Sequence, residues 1–165
     1  MWIPNRQPAH REGKNAHAPA EVRYDLTILA TRDNPHFEVS RLELDRPGPS
    51  FAIDTIRHFL EGGLSRDELF WILGADAIND ILTWHRGAEL FGMCRFIACN
   101  RPGFDLQAAR SKLSTAQNER VIWLELPGLH TASRELRRRV RDGEPIRYLL
   151  PEAVRQEIER RNLYR

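Results

Sequence analysis

Three short apolar runs, separated by helix-forming segments, most constrain what this 165-residue chain can fold into. They lie at residues 69–73, 95–99 and 121–126, and Arg95 and Glu125 are their only charged residues. Short runs in which nearly every residue is apolar are typical of parallel strands covered on both faces. Because a helical segment separates each run from the next, the sequence predicts an α/β fold with a doubly wound parallel sheet.

The rest of the chain reads as one domain over residues 1–165, with a helical C-terminal part at about 132–165. Val22, Leu26 and Leu29 recur at helical spacing, and residues 37–44 alternate as in a strand. Ser50 is placed to cap the next helix. Helices are predicted over residues 19–32, 50–61, 77–82, 87–91, 106–117, 133–141 and 151–161.

Composition excludes several classes of protein. The 25 basic and 23 acidic residues give a net charge of +2, so no strong overall field favours nucleic acid or membranes. The basic run at 137–139 lacks interleaved aromatic residues. No apolar run is long enough to span a bilayer. Two cysteines and histidines without ligand spacing predict neither disulfides nor a metal cluster, and favour a cytoplasmic location.

Ligands of open parallel sheets bind beyond the carboxyl ends of the strands. Gly74-Ala75-Asp76 follows the first apolar run, and the Asp76 carboxylate can accept hydrogen bonds from ribose hydroxyls. Asp76 can equally be a helix N-cap. Trp84 can stack on a heteroaromatic ring, or it can be a packing residue.

A third candidate is the start of the helix at 133–141. Ser133, Arg134 and Arg137 would bring a hydroxyl and two guanidinium groups to free backbone amides, a combination that suits phosphate. The alternative is a solvated basic face. All but two of the basic residues in the chain are arginines, which genome composition alone can produce.

Taken together, these segments resemble bacterial nicotinate-nucleotide adenylyltransferases, which have a Rossmann-like nucleotidyltransferase fold. The resemblance covers nearly the whole chain and includes Arg23 in the first helix. Its motifs, in chain order, are W-I-P (2–4), P-A-H-R (8–11), S-F-A-I-D-T (50–55), G-A-D (74–76) with Trp84, R-P-G (101–103), A-S-R-E-L-R (132–137) and Y-L-L-P (148–151).

The resemblance implies an enzyme of NAD synthesis that transfers the adenylyl group of ATP to nicotinate mononucleotide, giving deamido-NAD and pyrophosphate. Mg²⁺ would accompany ATP, and no protein ligand is assigned to it. The implied ATP phosphate ligands are Ser133, Arg134, Arg137 and Arg11. The implied mononucleotide ligands are Asp76, Trp84, Ser50, Thr55 and Arg101.

The chain departs from the family pattern in three places. The motif G-x-F-D-P-x-H-x-G-H, whose histidines contact ATP, is not in the sequence, so no catalytic residue is identified. Ala52 and Ala132 replace a threonine and a serine. We therefore expect that the first βα unit is missing and that Met1 is an internal methionine of a longer chain. The alternatives are a homologue that only binds nucleotide and an adenylyltransferase for another phosphate acceptor. A homo-oligomer is left open.

Overall fold

The computed structural model describes residues 1–9, 17–100, 105–126 and 132–165. The chain divides into two compact units. Unit 1 contains Met1–Ser50 and Thr131–Arg165, and unit 2 contains Phe51–His130. The single domain expected over residues 1–165 stays a prediction.

Helices and strands alternate along unit 2, and unit 1 is helical in its described part. The helices are α1 (Ala20–Thr31), α2 (Leu42–Asp45), α3 (Ala52–Glu61), α4 (Ala75–Asp80), α5 (Gly87–Met93), α6 (Leu106–Arg110), α7 (Thr115–Asn118), α8 (Ser133–Arg141) and α9 (Glu152–Arg160). The strands are β1 (Phe70–Gly74), β2 (Arg95–Asn100) and β3 (Val121–Glu125), and a 3₁₀ turn (Ile81–Thr83) follows α4.

The three strands form a parallel sheet in the order β1-β2-β3. Gly74 pairs in register with Cys99, and Cys99 with Leu124. The carboxyl ends of all three strands therefore meet at one edge, which is where a parallel sheet binds ligands. The predicted parallel α/β sheet is confirmed.

One face of this sheet carries the core of unit 2. Phe96 and Ala98 on β2 are fully buried, and so are Ile53 and Ile56 from the apolar stripe of α3. On the opposite face, Ile72 of β1 is 68% exposed. The prediction that this strand is covered on both faces is therefore wrong for the described residues, because the unit 2 helices pack against one face only.

The core of unit 1 is formed by residues from the N-terminal and the C-terminal parts of the chain. Val154 and Ile158 of α9 are buried beside Ile146, and Leu26 and Leu29 of α1 pack against them. The apolar stripe predicted on the first helix is thus confirmed as the contact between α1 and the C-terminal helix.

The strand predicted over residues 37–44 does not form. Its only pairing in the described residues is a parallel bridge between Val39 and Trp2. The Ser40 hydroxyl then accepts a hydrogen bond from the Leu42 amide at 3.2 Å, and α2 begins there. This side-chain bond to the local backbone ends the extended segment.

Two helices differ from their predicted form. Phe51, not Ser50, is the N-cap of α3, because the Ser50 hydroxyl is engaged by the amide of Arg6. The helix predicted over 106–117 is two helices, because Ser114 and Gln117 form a capping box that begins α7. No helix in the described part of the chain is both long and apolar enough to cross a bilayer.

Candidate functional site

The start of α8 has no side-chain cap among the described residues. Ala132 is the N-cap and makes no side-chain capping bond, and Ser133 is the first helical residue. The first amides of an uncapped helix lack intrahelical acceptors and carry the positive end of the helix dipole. The start of this helix was predicted correctly.

Carboxylates neutralise three of the five arginines of α8. Arg138 pairs with Glu135 and Glu144, each at 2.7 Å. The Arg138 guanidinium, helped by Arg139, lowers the pKa of the Glu135 carboxyl to about 2. The three paired arginines are Arg138, Arg139 and Arg141, and their partners are Glu135, Asp142 and Glu144.

The other two arginines of α8 are the ones that the sequence analysis named as phosphate ligands. Arg134 and Arg137 form no ion pair or hydrogen bond with any described residue. They are three positions apart, a spacing that places side chains on one side of a helix. Two unpaired guanidinium groups therefore accompany the open amides near Ser133, all within unit 1.

Ser50 lies in unit 1 at the end of the N-terminal segment. Its amide donates to the Gln7 carbonyl at 2.9 Å, and Ser50 forms a parallel bridge with Pro8. Its hydroxyl oxygen accepts a hydrogen bond from the Arg6 amide at 3.2 Å. Backbone and side chain of Ser50 are thus both fixed by residues 6–8.

Asp76 lies in unit 2 at the carboxyl edge of the sheet. It is exposed in the first turn of α4, whose N-cap is Gly74, so the alternative that Asp76 caps the helix is wrong. A Cβ at Gly74 would lie 2.4 Å from Oδ1 of Asp76. The Asp76 carboxylate folds back over Gly74, so a side chain at position 74 would displace it.

Trp84 and Thr55 also belong to unit 2. Trp84 is half-buried against the core and follows the 3₁₀ turn. Thr55 is fully buried on α3. A direct contact between Thr55 and a mononucleotide is at odds with that burial.

Asn100 is a candidate that the sequence did not single out. It ends β2 at the carboxyl edge and is 7% exposed, yet its Oδ1 has no hydrogen-bond partner among the described residues. A buried amide oxygen without a donor is uncommon and calls for an explanation. Only the strand register, which the sequence does not reveal, shows that Asn100 faces the core side.

Two predicted ligands, Arg11 and Arg101, lie outside the described residues. No group of three or more His, Cys, Asp or Glu side chains in the described ranges could hold a metal ion. Burial raises the pKa of the Cys94 thiol to about 12, so this cysteine is no nucleophile at neutral pH.

Comparison with known proteins supplies the context for these residues. The cytidylyltransferase-like family model matches residues 1–139. A probable nicotinate-nucleotide adenylyltransferase of Thermus thermophilus is 45% identical over 165 residues, covering 100% of this chain and 82% of the relative. That of Moorella thermoacetica is 42% identical over 168 residues, covering 100% and 77%.

The chain belongs to the nicotinate-nucleotide adenylyltransferase family. Its fold agrees with a solved Plasmodium falciparum nicotinic acid mononucleotide adenylyltransferase complexed with NaAD. The TM-score is 0.68 at 18% identity, over 98% of this chain and 80% of that one. The sequence-based family assignment and the Rossmann-like nucleotidyltransferase fold are therefore confirmed.

Proposed function

We propose that this chain acts in NAD synthesis and transfers the adenylyl group of ATP to nicotinate mononucleotide. The observation that carries the proposal is the identity of 45% with an adenylyltransferase relative across the full chain. The unpaired Arg134 and Arg137 at an open helix start support it, because this is the combination that a polyphosphate needs.

The adenylyl group passes directly from ATP to the mononucleotide, and no protein nucleophile takes part. A phosphate oxygen of the mononucleotide attacks the α-phosphorus of ATP. The bond from the α-phosphorus to the oxygen that bridges the α- and β-phosphates breaks, and pyrophosphate leaves with the electron pair. Catalysis then consists of positioning the two substrates and stabilising phosphate charge.

In unit 1, the start of α8 holds the ATP phosphates. The hydroxyl of Ser133 and the amides of the first turn donate to phosphate oxygens. Arg137 supplies a guanidinium fork that binds two oxygens at once, and Arg134 adds a second positive charge. Arg11 is proposed as a further phosphate ligand from its motif position alone.

In unit 2, the carboxyl edge of the sheet holds the mononucleotide. The exposed Asp76 accepts hydrogen bonds from the ribose hydroxyls, and the half-buried Trp84 packs on the nicotinate ring. Arg101 is proposed near the base from its motif position. Ser50 is proposed as a hydrogen-bond donor to nicotinate mononucleotide from its motif position alone.

Mg²⁺ is proposed to arrive with ATP, bound to its phosphate oxygens. The described residues contain no cluster of metal-ligating side chains, so no protein ligand is assigned. No step of the mechanism above depends on a protein-bound metal.

The test combines calorimetric titration with ATP and nicotinate mononucleotide and a pyrophosphate-release assay on the full chain. We expect Arg137→Ala to weaken ATP binding roughly 5–100-fold, because it removes charge-assisted hydrogen bonds. Arg141→Ala is the matched control, because Arg141 lies on the same helix and is already paired with Asp142.

Each outcome separates the candidate functions. Binding of both substrates without pyrophosphate release supports a chain that only binds nucleotide. An equal effect of Arg137→Ala and Arg141→Ala assigns Arg137 to a solvated face. Failure of the wild-type chain to bind either substrate contradicts the proposal.

A further inference from the structure

Arg23 is a half-buried cation of α1 whose hydrogen-bond acceptors are all neutral oxygens. Nε donates to the Ala18 carbonyl at 3.3 Å, and Nη1 donates to Oδ1 of Asn5 at 2.9 Å. Nη2 donates to the carbonyls of Asn5 at 2.6 Å and Arg6 at 3.1 Å. No carboxylate is among these partners, in contrast to the ion-paired arginines of α8 and α9.

This arrangement is costly for a residue with a merely space-filling role. Burial of the guanidinium lowers the pKa of Arg23, which reflects the cost of removing a charge from water. Four hydrogen bonds offset that cost, and their geometry depends on the planar guanidinium fork. A lysine ammonium is a point charge and cannot reproduce the fork.

Arg6 links Arg23 to Ser50, because its carbonyl accepts a hydrogen bond from Arg23 and its amide faces Ser50. The Arg6 amide donates to the Ser50 hydroxyl, and the Ser50 amide donates to the Gln7 carbonyl. Because the Ser50 oxygen already accepts a hydrogen bond, its own proton remains to be donated. No described residue accepts that proton.

We propose that Arg23 is a positioning residue for Ser50: it fixes the backbone of Asn5 and Arg6 so that the Ser50 hydroxyl is held as a donor to substrate. This inference rests on the proposed function. It deepens that function because it assigns a specific task to a half-buried arginine that acts through Ser50.

The test is a double-mutant cycle in the full chain, with nicotinate mononucleotide as the calorimetric probe. Arg23→Lys keeps the charge and loses the fork, and Ser50→Ala removes the donor. We expect each single variant to weaken binding about 3–10-fold, the effect of one uncharged hydrogen bond. In the Ser50→Ala background, Arg23→Lys should change affinity less than about twofold, because both substitutions remove the same interaction.

Two further variants control for structural damage. Arg32, at the end of the same helix, is exposed and its Nε lies 3.6 Å from Oδ1 of Asp33. The variant Arg32→Lys should therefore bind like the wild type. If Arg23→Lys does not fold, Asn5→Ala replaces it, because it removes only the Nη1 acceptor. Hydrogen exchange of the wild type gives an independent measurement: the Arg6 and Ser50 amides should exchange slowly and should slow further when the mononucleotide is added.

The outcomes separate this inference from the proposed function. If the wild type does not bind nicotinate mononucleotide, both the proposed function and the positioning role of Arg23 are wrong. If the wild type binds and Arg23→Lys binds equally well, only the positioning role falls. Additive effects of Arg23→Lys and Ser50→Ala would assign Arg23 to general stability, and rapid exchange of the Arg6 amide would show that the backbone is not held.

Discussion

Arg134 and Arg137 differ from the other arginines of α8 only in their surroundings. The sequence could select them by their position near a helix start, but it could not show that they are unpaired. The carboxylates that pair with Arg138 and Arg139 are Glu135 within the helix and Asp142 and Glu144 beyond it. The difference between the arginines of this helix therefore depends partly on the turn that follows it.

Asn100 permits a test at the level of one buried polar group. Its Oδ1 is unsatisfied in the described residues, so replacing the side chain with the similarly sized leucine removes a desolvation cost. We expect Asn100→Leu to leave the free energy of unfolding unchanged or to raise it by up to about 1 kcal/mol. Urea denaturation measures this.

The same variant tests whether Asn100 serves the substrate. If Oδ1 accepts a hydrogen bond from bound ATP or mononucleotide, Asn100→Leu should weaken one of them about 10-fold while the fold remains stable. A destabilised protein would instead show that the amide makes a structural bond. Unchanged affinity for both ligands would exclude Asn100 from the site.

At the level of elements, the sheet faces allow a paired prediction. Phe96 on β2 is fully buried, whereas Ile72 on β1 is 68% exposed. We expect Phe96→Ala to cost about 3–5 kcal/mol, because it removes an aromatic ring from the core. Ile72→Lys should change the free energy of unfolding by less than about 0.5 kcal/mol. Urea midpoints of the two variants provide the comparison, and a large loss with Ile72→Lys would show that this face is covered in solution.

The same elements show what the sequence could and could not predict. Five-residue apolar runs located β1 and β2 correctly, because strand burial leaves a strong local signal. The exposure of Ile72 was not predicted, because an apolar residue in a sequence does not show whether a neighbouring element covers it. The strand predicted over residues 37–44 failed because α2 begins within it, where the Ser40 hydroxyl accepts a hydrogen bond from the Leu42 amide.

At the scale of the whole molecule, near-balanced charge conceals local pairing. The 25 basic and 23 acidic residues almost cancel, yet much of the pairing lies within single helices of unit 1. Hydrogen bonds from Arg138, Arg155 and Arg160 lower the pKa values of Glu135, Glu152 and Glu157, respectively, to about 2. Protonating these groups would leave the arginines of α8 and α9 to repel one another.

This pairing predicts how stability depends on pH. The pKa values of these three carboxyls are lower in the folded protein than in the unfolded chain, where glutamate titrates near 4.3. The unfolded chain therefore binds more protons between about pH 4.5 and 2, and acid favours unfolding. The stabilisation is complete above about pH 4.5 and is lost as pH falls towards 2.

Urea midpoints measured from pH 7 to pH 2 should accordingly fall within this window. Because the Glu135 and Glu152 carboxylates are exposed to solvent, 1 M NaCl should flatten the decline. Glu135→Gln should reduce the slope, because it removes one of the titrating groups. Glu38→Gln is the control, because Glu38 forms no ion pair with any described residue. A slope unchanged by Glu135→Gln, or a decline that begins well above pH 5, would show that other groups control acid unfolding.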